Sequence, residues 1–153
     1  MDPMKNWTAT PDTGSSKILL IDDNRCGLLV RKTVLEEMGH SIVSSASPFE
    51  GLEHFASTPF DLVITDYRMP GMNGSQVIAA IRESRPEMPI ILISGLVDAL
   101  GLNEQNTGAD SVISKNNMEV ANLTRSVSRL LKRKPVKKPV GSQTGLDKKA
   151  SGL

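Results

Sequence analysis

The chain has one cysteine in 153 residues, Cys26, so no disulfide can form within it. Such sparse cysteine fits a reducing, cytoplasmic setting, and Cys26 itself is expected to be an inert, partly buried thiol. No apolar stretch approaches the ~20 residues a membrane helix needs. The first residues lack the apolar core of a secretory signal, and Met1 suits a natural start. Aromatics are few: one Trp, one Tyr and three Phe. Trp7 stands apart in a polar lead-in. There are two histidines, His40 and His54; neither ends an apolar run, and both read as surface residues. No internal repeat is visible.

What is present is a globular mix, 39% apolar and 23% charged, of a length suited to one domain. The net charge of +1 is uneven. From Lys132 onward seven Lys/Arg face one Asp, a charge of +6, which leaves −5 on the rest. Residues 1–16 read as a loose lead-in, 17–134 as the folded domain and 135–153 as a basic tail or linker with almost no apolar content. Without a recognition helix or an aromatic platform, that tail offers nucleic acid only a salt-sensitive, sequence-blind attraction.

The folded part alternates strand and helix five times. Apolar runs at 17–21, 60–65, 89–93 and 111–114 read as buried parallel strands, and 41–46 as a weaker one. The first helix follows Asp23, with Leu29, Val30, Val34 and Met38 at core spacing, and Gly39 ends it. Ser47-Pro48-Phe49-Glu50 carries a capping Ser, a first-turn Pro and a Glu three residues after the cap; Leu52 and Phe55 then face inward. A third helix from Gly74 places Val77, Ile78 and Ile81 inside. The stretch from Val97 to Thr107 is a poor helix broken by Gly101. The last helix has Val120, Leu123, Val127, Leu130 and Leu131 on one stripe and ends in Lys132-Arg133-Lys134, suiting its dipole. Right-handed crossovers between parallel strands give a five-stranded α/β sheet covered on both faces.

In such sheets ligands bind beyond the carboxyl ends of the strands. There the runs deliver Asp22 and Asp23, Asp66, Ser94 and Lys115. Three crowded carboxylates repel, and a hard divalent cation such as Mg²⁺ relieves that repulsion. Asp66, standing alone, can attack phosphorus as a nucleophile; Lys115 supplies a point charge and Ser94 a hydroxyl for the phosphoryl oxygens. Singly, each could be an N-cap, a turn or a solvated charge. Together, in order and on one rim, they point to phosphoryl chemistry.

The stretches Ile18-Leu19-Leu20-Ile21-Asp22-Asp23-Asn24, Asp61 to Gly74 (DLVITDYRMPGMNG), Pro89-Ile90-Ile91-Leu92-Ile93-Ser94-Gly95 and Gly108-Ala109-Asp110 resemble the receiver domain of two-component response regulators, over about Lys17 to Lys134. The resemblance implies a flavodoxin-like fold of strand order 2-1-3-4-5. It implies that Asp66 is the phosphoacceptor, that Asp22 and Asp23 are the acidic pair with Asp23 the direct Mg²⁺ ligand, and that the carbonyl of Arg68 completes the protein ligands. Ser94 takes the place of the switch hydroxyl and Lys115 that of the family's lysine. The donor it implies is a phosphohistidine on a histidine kinase or histidine phosphotransfer protein in a bacterial cytoplasm. The domain then catalyses its own phosphorylation and slow dephosphorylation, and is not an enzyme acting on a separate substrate.

Three features depart from the family. Val112 stands where an aromatic switch residue is usual. Asn116 stands where a proline, often cis, follows the lysine; a cis bond before Asn would cost ~3–4 kcal/mol. The 97–107 stretch is weak as a helix. Alternatives are a degenerate receiver that binds partners without phosphorylation, a relay domain excised from a hybrid kinase, and a hydrolase of the haloacid-dehalogenase type. The last expects a second Asp two residues after the nucleophile, where this chain has Arg68.

Overall fold

The computed structural model describes residues 15–133. Trp7, the tail from 135 and all of the lead-in but Ser15 and Ser16 lie outside those residues. The expected alternation is present: β1 Lys17–Ile21, α1 Arg25–Glu37, β2 Ser41–Ser45, α2 Pro48–Ser57, β3 Leu62–Asp66, α3 Gly74–Ser84, β4 Ile90–Ser94, two single turns α4 Val97–Leu100 and α5 Glu104–Thr107, β5 Ser111–Ser114 and α6 Glu119–Arg133. The five strands form one parallel sheet of order β2-β1-β3-β4-β5. Because successive strand residues point to opposite faces, the apolar runs feed two cores. Leu19, Ile21, Val63, Ile90 and Leu92 pack with Phe55 of α2 and Val77, Ile78 and Ile81 of α3. Ile18, Leu20, Ile64, Ile91 and Ile113 pack with Leu28 and Leu35 of α1 and Leu123, Val127 and Leu130 of α6. Helices thus cover both faces, and α1 lies beside α6.

Local signals set the helix starts. Asn24, Ser47 and Asn73 cap α1, α2 and α3 through their side chains. At the end of α5, Gly108 takes a left-handed φ of 83°, and a Cβ there would lie 3.1 Å from Ile78 Cγ2. The 97–107 stretch breaks at Gly101, as expected, into two turns too short to bury a stripe.

Four expectations need correction. The inward stripe of α1 is Leu28, Arg31 and Leu35, not the one containing Leu29 and Val30, which are 66% and 56% exposed. Val34 and Met38 lie only at its margin. The helix is rotated because Arg31 turns inward to meet acidic partners. The same rotation exposes Cys26. Val120 is exposed in the first turn of α6, where Glu119 is the residue drawn inward. His40 is buried: its Nδ1 accepts the Ser16 N–H at 3.3 Å, while Ser41 N–H donates to the Ser16 carbonyl. Burial pulls its pKa below the ordinary 6.5, with Asp61 opposing.

Candidate functional site

Asp66 is the last residue of β3 and only 6% exposed. Its Oδ1 accepts the Tyr67 N–H at 2.9 Å and lies 3.2 Å from Lys115 Nζ. Asp22, immediately after β1, lies 3.7 Å from the same ammonium through Oδ2. Carboxylate oxygens of Asp22, Asp23 and Asp66 all fall within 4.8 Å of one another; Asp22 and Asp66 are buried, Asp23 exposed. Three hard oxygen donors at that spacing fit a small divalent cation. Burial pushes the Asp66 pKa up to about 6, the Asp22 charge adds to the rise, and Lys115 opposes it.

Close packing holds this geometry. Thr65 Oγ1, fully buried, donates to the Asp66 carbonyl at 2.9 Å. A Cβ on Gly74 would lie 2.5 Å from that carbonyl and 2.9 Å from Tyr67 Cα, so only glycine lets α3 start against the site. Gly74 N–H donates to the Tyr67 carbonyl at 2.7 Å. Arg68 follows on the same loop with its side chain exposed.

Ser94 ends β4, buried, and its Oγ accepts the Leu96 N–H at 2.9 Å. Lys115 N–H donates to the Ser94 carbonyl at 3.0 Å, which ties the ends of β4 and β5 together. The loop after Lys115 contains no cis bond. Asn116 N–H donates to the Ser114 carbonyl at 3.0 Å, a bond no proline could make, and its Oδ1 accepts the Met118 N–H at 2.8 Å. Val112 is half-buried against the same core as Leu102, and its N–H donates to Glu104 at 3.3 Å.

Every rim residue read from the sequence therefore lies at a strand end of one sheet edge, and Asp22, Asp23, Asp66 and Lys115 converge. Sequence reasoning missed Arg31 and Glu119. Arg31 Nη1 lies 2.5 Å from Asp22 Oδ2, and Arg31 Nε lies 2.6 Å from Glu119 Oε2. The available signal was a charged residue on the i, i+3, i+7 spacing of Leu28, Arg31 and Leu35.

An all-parallel 2-1-3-4-5 sheet with an acidic cluster and a lysine at its carboxyl edge defines a receiver-type α/β domain. Residues 18–128 match the response regulator receiver domain family, and the chain belongs to it. It is 34% identical over 90 residues to the sensor histidine kinase GacS of Pseudomonas protegens, covering 56% of this chain and 10% of that protein. It is 35% identical over 101 residues to the transcriptional regulatory protein GlrR of Escherichia coli K12, covering 64% and 22%. The chain thus spans about a tenth to a fifth of the length of these curated relatives. Among solved structures, the response regulator TrrA of Thermotoga maritima, in complex with Mg(2+)-BeF, superposes with a TM-score of 0.67 at 30% identity, covering 74% of this chain and 97% of that one. Among the described residues no helix is long and apolar enough to cross a membrane.

Proposed function

We propose that Asp66 is the phosphoacceptor of a Mg²⁺-dependent receiver, taking its phosphoryl group from a phosphohistidine on a histidine kinase or phosphotransfer protein and acting as a switch. The carrying observation is the Asp66 carboxylate, buried at a strand end, 3.2 Å from Lys115 Nζ and inside a three-carboxylate cluster.

In its ionised form Asp66 attacks phosphorus. The new bond is carboxylate oxygen to phosphorus, and the bond that breaks is phosphorus to imidazole nitrogen. The electron pair stays on that nitrogen, and the donor histidine, whose other ring nitrogen carries a proton, leaves as neutral imidazole. Lys115 stands where it can pair with the transferred group's charge, and the Ser94 hydroxyl lies on the neighbouring strand end, one carbonyl away from Lys115. The Tyr67 N–H holds the carboxylate in orientation. Asp23, Asp66 and the carbonyl of Arg68 would hold Mg²⁺, with Asp22 behind them. Bound there, the ion supplies positive charge to the phosphoryl oxygens and relieves the repulsion among the carboxylates. In this reading the domain works as a self-modifying acceptor. A cytosolic setting and a protein partner go with that role.

The test is labelling with acetyl phosphate or phosphoramidate, followed by intact mass. Wild type should gain one covalent phosphate only with Mg²⁺, and Asp66→Asn none. Asp23→Ala should need far more Mg²⁺. An Asp66→Asn chain that labels as well as wild type overturns the assignment.

A further inference from the structure

Arg31 is a permanent cation only 6% exposed on the inward stripe of α1. A guanidinium in such a place is tolerated only when paired. Its two pairs use different nitrogens, Nη1 to Asp22 at 2.5 Å and Nε to Glu119, the first residue of α6, at 2.6 Å. Gly27 makes the room: a Cβ there would stand 2.7 Å from Arg31 Nη1 and 3.3 Å from Asp22 Oδ2. Glycine inside a helix is destabilising relative to alanine, and here it opens the path of the guanidinium to the carboxylate. Both oxygens of Asp22 are consequently engaged by the protein: Oδ1 by the Asn24 N–H at 2.9 Å, Oδ2 by Arg31 with Lys115 beyond.

The geometry points to Arg31 as an internal counter-ion that competes with a divalent cation for Asp22 and is held in check by Glu119, so that the start of α6 sets the cation affinity of the pocket. This rests on the reading of the pocket as a Mg²⁺ site. A cation entering beside Asp22 meets the charge of Arg31 a few ångströms away, and relief comes as the guanidinium shifts its weight to Glu119. The same shift connects pocket occupancy with the first turn of α6, through side chains 88 residues apart in sequence.

The experiment is an Mg²⁺ titration of the full chain followed by amide chemical shifts. Arg31→Gln removes the competitor and should tighten Mg²⁺ on the order of tenfold. Gly27→Ala should tighten it in the same direction, because its new methyl group displaces the flexible end of Arg31 while suiting the helix. Glu119→Gln frees Arg31 to hold Asp22 and should weaken Mg²⁺ severalfold. In the Arg31→Gln background the Glu119→Gln effect should vanish, whereas a simple long-range field would leave it intact. Should Arg31→Gln not fold, Gly27→Ala and Glu119→Gln decide. The inference is overturned if the variants at 31 and 27 bind Mg²⁺ no tighter than wild type, or if Glu119→Gln has the same effect in both backgrounds. Asp23→Asn separates the two failures. If it weakens binding while these variants do not move it, only the role of Arg31 falls. If it binds as wild type does, or wild type binds no Mg²⁺, the cation site falls and the role of Arg31 with it.

Discussion

Asp66 holds its charge against burial and a like-charged neighbour. Its carboxyl, ordinarily near 3.8, titrates at about 6 because burial disfavours the charge and Asp22 repels it. In the unfolded chain the proton leaves near the ordinary value. The folded state is therefore favoured by this group below about pH 4, and the advantage is lost as pH rises through 6. Above that pH, in chelator, Asp66→Asn should be more stable than wild type by roughly 3 kcal/mol, a shift of about two units at 1.36 kcal/mol per unit. Urea midpoints of both proteins from pH 4 to 8 measure this. The gap should close toward pH 4, and a gap independent of pH would contradict its assignment to ionised Asp66. Only the ionised form attacks phosphorus, so at limiting Mg²⁺ the labelling rate should also fall below about pH 6.

At the level of elements, the connection between β4 and β5 has little regular structure and few buried residues. It contains two four-residue turns, joined through Gly101 at φ 63°, Leu102 and Asn103. Neither turn has a buried stripe of its own; Thr107 is the one buried residue within them. Val112, on β5, is branched at Cβ and restricted at χ1, and it is too short to sweep between buried and exposed positions. A phosphoryl group near Ser94 should thus act on the turns, which start at Val97, directly after the Leu96 N–H that its hydroxyl accepts. With a beryllofluoride mimic, backbone amides of residues 94–107 should shift more than those around Val112. Shifts confined to the phosphate-contacting residues would instead describe a relay that passes phosphate on without switching.

For the whole molecule, the charge split suggests that 135–153 is a linker outside the switch. Its composition offers too little apolar surface to offset the entropy of ordering. A chain ending at residue 135 should keep the unfolding midpoint and the labelling rate of the full chain. A loss of several kcal/mol in denaturant unfolding, or of labelling, would show that the tail belongs to the domain.

The sequence by itself determined the sheet and the rim. β1, β3, β4 and β5 each carry an apolar run that ends in its polar residue, so Asp22, Asp66, Ser94 and Lys115 are placed by local pattern and by the rule that parallel strands share one carboxyl edge. The caps at Ser47 and the break at Gly101 are equally local, set by backbone chemistry within a few residues. Only the tertiary structure decided the rotation of α1, because Leu28, Leu29 and Val30 are all apolar and the choice among stripes falls to what Arg31 can reach. It buried His40 through contact with a segment 24 residues away and exposed Cys26 by that same rotation. It also raised the pKa of Asp66, since desolvation and the Asp22 field exist only once β1 and β3 lie side by side. The Asp22, Arg31 and Glu119 chain belongs to this second group. Its members come from three elements, and a pairing across 88 residues leaves no period in the sequence for a local rule to find.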